Sequence, residues 1–428
     1  MMNKTTKELK KFLDTAHSVY HAVAALAEQL EKEGYTRLCE QQTWQIVPGG
    51  KYYLTRGGTA LLAFRIPKGE PTGFLFSASH SDRPTFKLKE NGELGGRYTR
   101  VAVEKYGGML MAPWLDRPLS LAGRVQVETE TGAESVLVDI DRDLLLIPNV
   151  AIHMNRSANE GYKWNPAVDM LPMLGGEDAK GKLEGVLQKQ VKGKILGHDL
   201  YLYVRQPASV WGLEEEFISA PALDDLMCAW GCAQGFLKAK EAASVPVLCV
   251  FDSEEVGSSS VQGAASRLLQ TTVDRICAAM SWDAQKLLSS SFMLSADNAH
   301  AVHPNHPEFA DPNNAPVVNG GLVLKFNANL RYTTDGFSAA VVRKVCHKAG
   351  VPVQTYCNRA DLPGGSTLGC ISLSQVSVPS ADIGLAQLAM HSCYETAGAK
   401  DAAYLEKALA AYYSSALVVE GDERWELR

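Results

Sequence analysis

The run Val245–Phe251 constrains the fold more than any other stretch of this chain. It is apolar throughout and ends abruptly at Asp252-Ser253-Glu254-Glu255. A run this short has strand length. Without alternation it must be buried on both faces, as in a parallel sheet covered by helices. Around it, strand-like and helical patterns alternate. Leu223–Lys240 has helical spacing, Ser260–Leu269 reads as a helix and Ile276–Ser281 as a strand. Gly336–Lys348 is helical, Val351–Tyr356 strand-like, and Leu405–Val419 helical. Nearer the start, Phe12 to Leu30 has the spacing of a helix that Gly34 can end; Lys51–Leu54, Leu61–Ile66 and Phe74–Ser77 are short strand-like runs. This order predicts an α/β fold with a mixed, largely parallel sheet flanked by helices.

The stretch from Gly96 to about Gly212 breaks the pattern. It offers short β-like pieces (Ala122–Glu130, Ser135–Asp139, Asp199–Arg205) and few helical periods. It reads as a separate β-rich unit over residues 95–212, dividing the α/β pattern into segments 1–94 and 213–428. A chain of 428 residues has room for both.

Charge narrows the function. Lys and Arg number 42, Asp and Glu 48, giving a net −6. Such a chain lacks the broad basic face that nucleic acid or an anionic membrane surface needs, so neither is expected as a partner. There is no apolar run of membrane-spanning length and no signal-peptide pattern. The nine cysteines form no C-x-x-C pair. Free thiols in a cytoplasmic protein are the expectation.

The polar residues at strand ends carry the chemistry, since ligands in open α/β sheets collect outside the carboxyl ends of strands. His80-Ser81-Asp82 follows an apolar run. A carboxylate two residues on can reach back to the second imidazole nitrogen of a metal-ligating histidine, although a lone H-x-D is more commonly an ordinary loop. Glu254-Glu255 follows Val245–Phe251, and adjacent carboxylates ionise together only in water or beside a cation. One could bind metal while the other serves as general base. Asp224-Asp225 opens a helix, where the dipole alone would favour acids; the alternative is a carboxylate bridging two metal ions. Asp297 to His306 concentrates three of the ten histidines beside an aspartate, which a polar loop would explain equally well. His391 precedes a helix-like stretch and says little alone. No H-E-x-x-H, phosphate-binding loop or G-x-S-x-G elbow is present. The remaining His, Asp and Glu set suits zinc, manganese or cobalt.

In this order the motifs resemble the aspartyl aminopeptidase family of metallopeptidases, nearly end to end. His80-Ser81-Asp82-Arg83-Pro84 is similar to its H-T-D-S-P, Trp114-Leu115-Asp116-Arg117 to its W-x-D-R, and Ile147 to His153 to its I-P-x-L-A-I-H. Ser219 to Leu226 resembles S-A-P-R-L-D-N-L, Glu254 to Ser258 E-E-V-G-S, Ala299 to Asn305 A-H-A-x-H-P-N, and Met390-His391-Ser392 M-H-S. The resemblance implies a zinc-peptidase-like catalytic domain with two divalent ions, zinc first, with cobalt or manganese compatible. It implies that His80, Asp224 and Asp297 hold one ion and Asp224, Glu255 and His391 the other. It assigns Asp82 to orienting His80 and Glu254 to the general base. It makes the insert a dimerisation domain whose His153 reaches a neighbouring subunit's site. It also implies peptide substrates with a free N-terminus and self-association to dimers and a tetrahedral dodecamer. An N-acyl amino acid deacylase with the same metal site, or a scaffold with structural metals, would use the same residues differently.

Four departures stand out. The asparagine of L-D-N-L is Asp225 here, Ala112-Pro113 replaces the residues before W-x-D-R, and P-C-G is Pro363-Gly364-Gly365. Asn329 occupies the position of a lysine associated with acidic side chains, and a neutral amide cannot neutralise a carboxylate as an ammonium can. Preference for acidic N-terminal residues is therefore left open.

Overall fold

The computed structural model describes residues 3–362 and 364–428; Pro363 lies outside the described residues. Its centre is a nine-stranded mixed sheet. The strands are β1 (Thr36–Arg37), β2 (Lys51–Arg56), β3 (Ala60–Arg65), β4 (Phe74–His80), β5 (Val245–Phe251), β6 (Phe292–Ala296), β7 (Leu322–Phe326), β8 (Val353–Cys357) and β9 (Ser380–Gly384). Their order across the sheet is β1-β2-β3-β5-β4-β6-β9-β7-β8. Neighbours β5, β4, β6 and β9 run parallel. Their carboxyl ends therefore share one edge, and the strand-end residues converge there.

β5 shows why its sequence lacks alternation. Leu248 and Val250 enter a core on one face of the sheet, while Val245, Val247, Cys249 and Phe251 enter the core on the other. Helices Leu223–Lys238 and Asp401–Tyr413 cover the first face. They approach closely because Gly235 has no side chain: a Cβ there would lie 2.4 Å from Leu409 Cβ. Tyr412 anchors the helix to the sheet by donating from its hydroxyl to the carbonyls of Phe76 (3.1 Å) and Phe292 (2.8 Å).

Residues 268–280 differ from expectation. Leu268–Met280 is one helix, where a helix over Ser260–Leu269 and a strand over Ile276–Ser281 were expected. Its buried residues Leu268, Leu269, Thr272, Val273, Ile276 and Cys277 follow a three- and four-residue period, which outweighs the short apolar run at its end. The first helical stretch is divided into Lys4–Leu13 and Val19–Lys32, the second capped by the Ser18 hydroxyl.

The insert forms a six-stranded antiparallel sheet with its own core. Strand Thr85–Leu94, grouped by sequence with the first segment, pairs with Tyr98–Tyr106 in this sheet. Sheet membership thus begins at Thr85 rather than at residue 95: Gly95-Gly96 is the turn of a hairpin, not a boundary. A smaller five-stranded sheet includes Ala299–His300, Ala386–Leu388 and Glu395–Gly398. Among the described residues, no helix is long and apolar enough to cross a membrane.

Candidate metal centre

Each strand end at the shared edge delivers a polar side chain. β4 ends in His80, the turn after β5 carries Glu254 and Glu255, and Asp297 follows β6. His391 comes from the loop between strands Ala386–Leu388 and Glu395–Gly398 of the smaller sheet, and Asp224 from the start of the covering helix. Asp224 and Asp225 have non-helical backbone angles and are joined by a cis peptide bond, so both precede the regular helix.

Among the described residues, three groups have ligand-type atoms within 4.8 Å of one another: His80, Asp224, Asp225 and Asp297; His80, Glu254 and Glu255; and Asp224, Glu255 and His391. Asp224 joins the first and third. Its Oδ1 lies 3.6 Å from His80 Nε2, and its Oδ2 lies 3.5 Å from His391 Nε2. Asp297 Oδ1 is 3.9 Å from His80 Nε2, and Glu255 Oε2 is 3.4 Å from His391 Nε2. The six positions from which a metal pair and a base were expected thus meet at one place. His153 does not join them. It is exposed on the insert, in a loop whose Val150, Ile152 and Met154 are also exposed. His303 and His306 are exposed as well, with their rings 5.3 Å apart, and belong to none of the three groups.

Asp82 holds two parts of the site together. His80 Nδ1 lies 3.1 Å from the Asp82 backbone carbonyl and 3.4 Å from its carboxylate Oδ1. The carboxylate accepts the Glu254 N–H on Oδ1 and the Glu255 N–H on Oδ2, each at 3.1 Å. Tyr106 Oη also donates to Oδ2 at 2.8 Å. Burial and the nearby Asp82 push the Tyr106 phenol far up, so it remains a donor.

The electrostatics are those of crowded carboxylates. Burial raises Glu254 to about 7; His80 opposes this, while Asp297 and Asp82 add to it. Burial and Asp224 push Glu255 to about 11. Burial disfavours charge on His80, but Asp224, Asp297 and Asp82 outweigh it and hold the imidazole well above its ordinary value. Asp225 is pushed up by burial, with its Oδ2 accepting the His80 N–H at 3.2 Å. A divalent pair fits this setting. Among the described residues, Asp224 Oδ1, Asp225 Oδ1 and Glu255 Oε1 are buried without a hydrogen-bond partner. Unpartnered buried oxygens are costly unless something cationic reaches them. The nitrogen and oxygen donors suit zinc, cobalt or manganese.

Besides Tyr106, sequence reasoning missed two supporting residues. Lys325, fully buried on β7, donates to the carbonyls of Asp297 (2.8 Å) and Asn298 (3.3 Å). A lysine inside the apolar run Leu322–Phe326 was its available signal. Glu395 accepts the backbone N–H groups of Asp224 (3.0 Å) and His391 (2.7 Å); nothing local in the sequence marks it.

The chain is similar to proteins of known family and fold. The model of the aminopeptidase I zinc metalloprotease family (M18) matches residues 12–413. A probable M18 family aminopeptidase 2 from Clostridium novyi is 39% identical over 427 residues, covering 96% of this chain and 99% of that protein. The cryo-EM structure of the Ape4 and Nbr1 complex contains a chain 35% identical, with a TM-score of 0.92, covering 96% of this chain and 85% of that one. The structure of the S. cerevisiae mApe1 dodecamer is 28% identical with a TM-score of 0.85, covering 96% of both chains.

Proposed function

The chain belongs to the M18 family of zinc metallo-aminopeptidases, and from that premise we propose that it removes N-terminal residues from peptides at a two-metal site, with Glu254 as general base. The observation that carries this reading is the division of Asp224, one oxygen facing His80 and the other His391. A carboxylate so placed is suited to bridge two cations. His80 and Asp297 would complete one ligand set, Glu255 and His391 the other. When bound, the ions supply Lewis acidity toward the scissile carbonyl and make water acidic enough to lose a proton near neutral pH.

The chain's own residues do the rest. Glu254, on the turn pinned by Asp82, takes the proton from the attacking water and returns it to the leaving amine. Burial pushes its carboxyl above the ordinary value, in the direction of holding a proton. Acidic residues around the site attract the free α-amino group of a peptide, which favours cleavage at the N-terminus over N-acylated substrates. His153 is read as acting in the site of a second copy, donating to the developing oxyanion. Its exposure beside Val150, Ile152 and Met154 suits a loop covered by self-association. Dimers, and a dodecamer of the kind named for the yeast relative, are the proposed assembly, and the cytoplasm the proposed location.

Asn329 is exposed and lines an open cavity of roughly 610 Å³ with Arg331 and Arg359. Arg359 is already paired with Asp361 at 2.8 Å. Asn329 itself supplies no charge for an acidic N-terminal side chain, so no such preference is assigned to the chain as it stands. The test is a hydrolysis profile across peptides differing in the N-terminal residue, each free and N-acetylated, with zinc, cobalt or manganese. Cleavage of free-amine peptides alone supports the reading; cleavage of acetylated substrates alone replaces it with a deacylase. In the same profile, Asn329→Lys should raise relative turnover of peptides beginning with Asp or Glu.

A further inference from the structure

The insert reaches into the metal centre along one short segment. Strand Tyr98–Tyr106 ends with the Tyr106 hydroxyl on Asp82 Oδ2, at 2.8 Å. The chain then stays against the site. Gly107 has φ +76°, and a Cβ there would lie 3.1 Å from Glu255 Cβ. A Cβ on Gly108 would lie 4.0 Å from His391 Nδ1. Leu110 N–H donates to the His391 carbonyl at 3.0 Å. Four of the five residues 106–110 therefore meet the turn after β4, the turn after β5 and the loop that carries His391.

The phenol is held from behind by the insert's own sheet. Its ring meets Tyr201 edge-on, with centroids 5.8 Å apart. Lys87 Nζ lies 5.6 Å from the centre of the Tyr201 ring and pairs with Asp199 at 2.8 Å. Asp199 also pairs with Arg124 at 3.1 Å. Arg124 in turn lies over the Tyr20 ring at 4.7 Å and donates to the Gly57 carbonyl at 2.7 Å, so this side of the insert is anchored on the first chain segment.

We propose that residues 106–110 form a strap by which the insert keeps the metal ligands in register, with Tyr106 as the positioning residue for Asp82. The proposal rests on the two-metal reading of the site. Asp82 Oδ2 accepts from Tyr106 Oη and from Glu255 N–H, and Oδ1 accepts from Glu254 N–H. Losing the phenol leaves the carboxylate held only by the two N–H groups of the turn it positions. The turn carrying a ligand and the base then loosens together. The insert thereby becomes part of each subunit's own site, separately from any role in joining subunits.

The test uses full-length, zinc-loaded, assembled protein. Zinc retention is measured against a chelating dye, and kcat and KM are measured on an unblocked peptide. Tyr106→Phe removes one oxygen and should weaken zinc retention about tenfold, the lower end for partners outside the ligand sphere. It should lower kcat about tenfold and move KM by less than about twofold. Added to Asp82→Ala, the same change should alter either quantity by less than about twofold, since the two residues act as one unit. Gly107→Ala presses a methyl on Glu255 without touching the phenol, and should also weaken zinc retention. Tyr106→Phe with wild-type retention and kcat overturns the proposal, as does an undiminished effect in the Asp82→Ala background. If Tyr106→Phe does not fold, wild-type retention in Gly107→Ala overturns it. Failure of the two-metal reading looks different: wild-type protein itself takes up fewer than two zinc ions, and the strap's role falls with it.

Discussion

The ammonium of Lys325 sits 3.6 Å from Asp297 Oδ2, while Oδ1 of the same carboxylate faces His80. Lys325 is fully buried, and the nearby carboxylates hold its charge against the cost of burial. Removing one partner of a buried pair leaves the other uncompensated, at about 3–5 kcal/mol. Lys325→Met should lower unfolding free energy by about that amount in the zinc-free protein, read from urea titrations. A loss under about 1 kcal/mol would mean that Asp297 is neutralised by other means.

Glu254 sits on a turn held through backbone N–H groups, so changing its side chain leaves the turn in place. Glu254→Gln should keep both zinc ions and lose about 10²–10⁴-fold in kcat, the span of a positioned general base. Metal analysis and steady-state kinetics on the same preparation check this. Retained activity with full metal would move the base elsewhere.

Chelation should abolish hydrolysis before it unfolds the chain. The two large cores flanking the sheet consist of apolar residues and exclude the ligand carboxylates. Bound ions still add stability by mass action, about 2.7 kcal/mol per site at a hundredfold excess over Kd. Zinc-free protein should keep its far-ultraviolet circular dichroism at 25 °C and melt at a lower temperature. A random-coil spectrum after chelation would contradict this.

Asp199 gives the pH dependence. Burial raises its pKa, but Lys87 and Arg124 outweigh this and hold it below the ordinary value. A carboxylate depressed in the folded state stabilises fully above its unfolded pKa, near 4, and loses that contribution as pH falls through the folded value. Asp199→Asn should therefore cost about 1 kcal/mol at pH 7. The cost should shrink below pH 4, as seen in melting curves of both proteins across that range. A difference that grows on acidification would reverse the assignment.

Much of the site can be read in the sequence because its residues stand at the ends of apolar runs. Val245–Phe251 announces both a buried strand and the special position of Glu254 and Glu255. His80 is announced in the same way by the run before it. Asp224 and His391 have weaker local signals and draw their meaning from the ordered motifs around them. Tyr106 and Glu395 are illegible locally, since their importance arises from contacts across distant chain segments. The 268–280 helix was misread because a few apolar residues at its end fit either period. His153 was named from its motif, yet a single chain leaves it exposed and outside the cluster.

The strand order carries one more consequence. β9 is later in sequence than β7 and β8, yet it lies between β6 and β7. During synthesis the sheet must stay open at that seam until β9 emerges, and His391 follows it. The ligand cluster is therefore among the last features to close. A chain interrupted before β9 has His80, Asp224, Glu255 and Asp297 but lacks His391. Unfinished or truncated chains should be inert rather than weakly proteolytic.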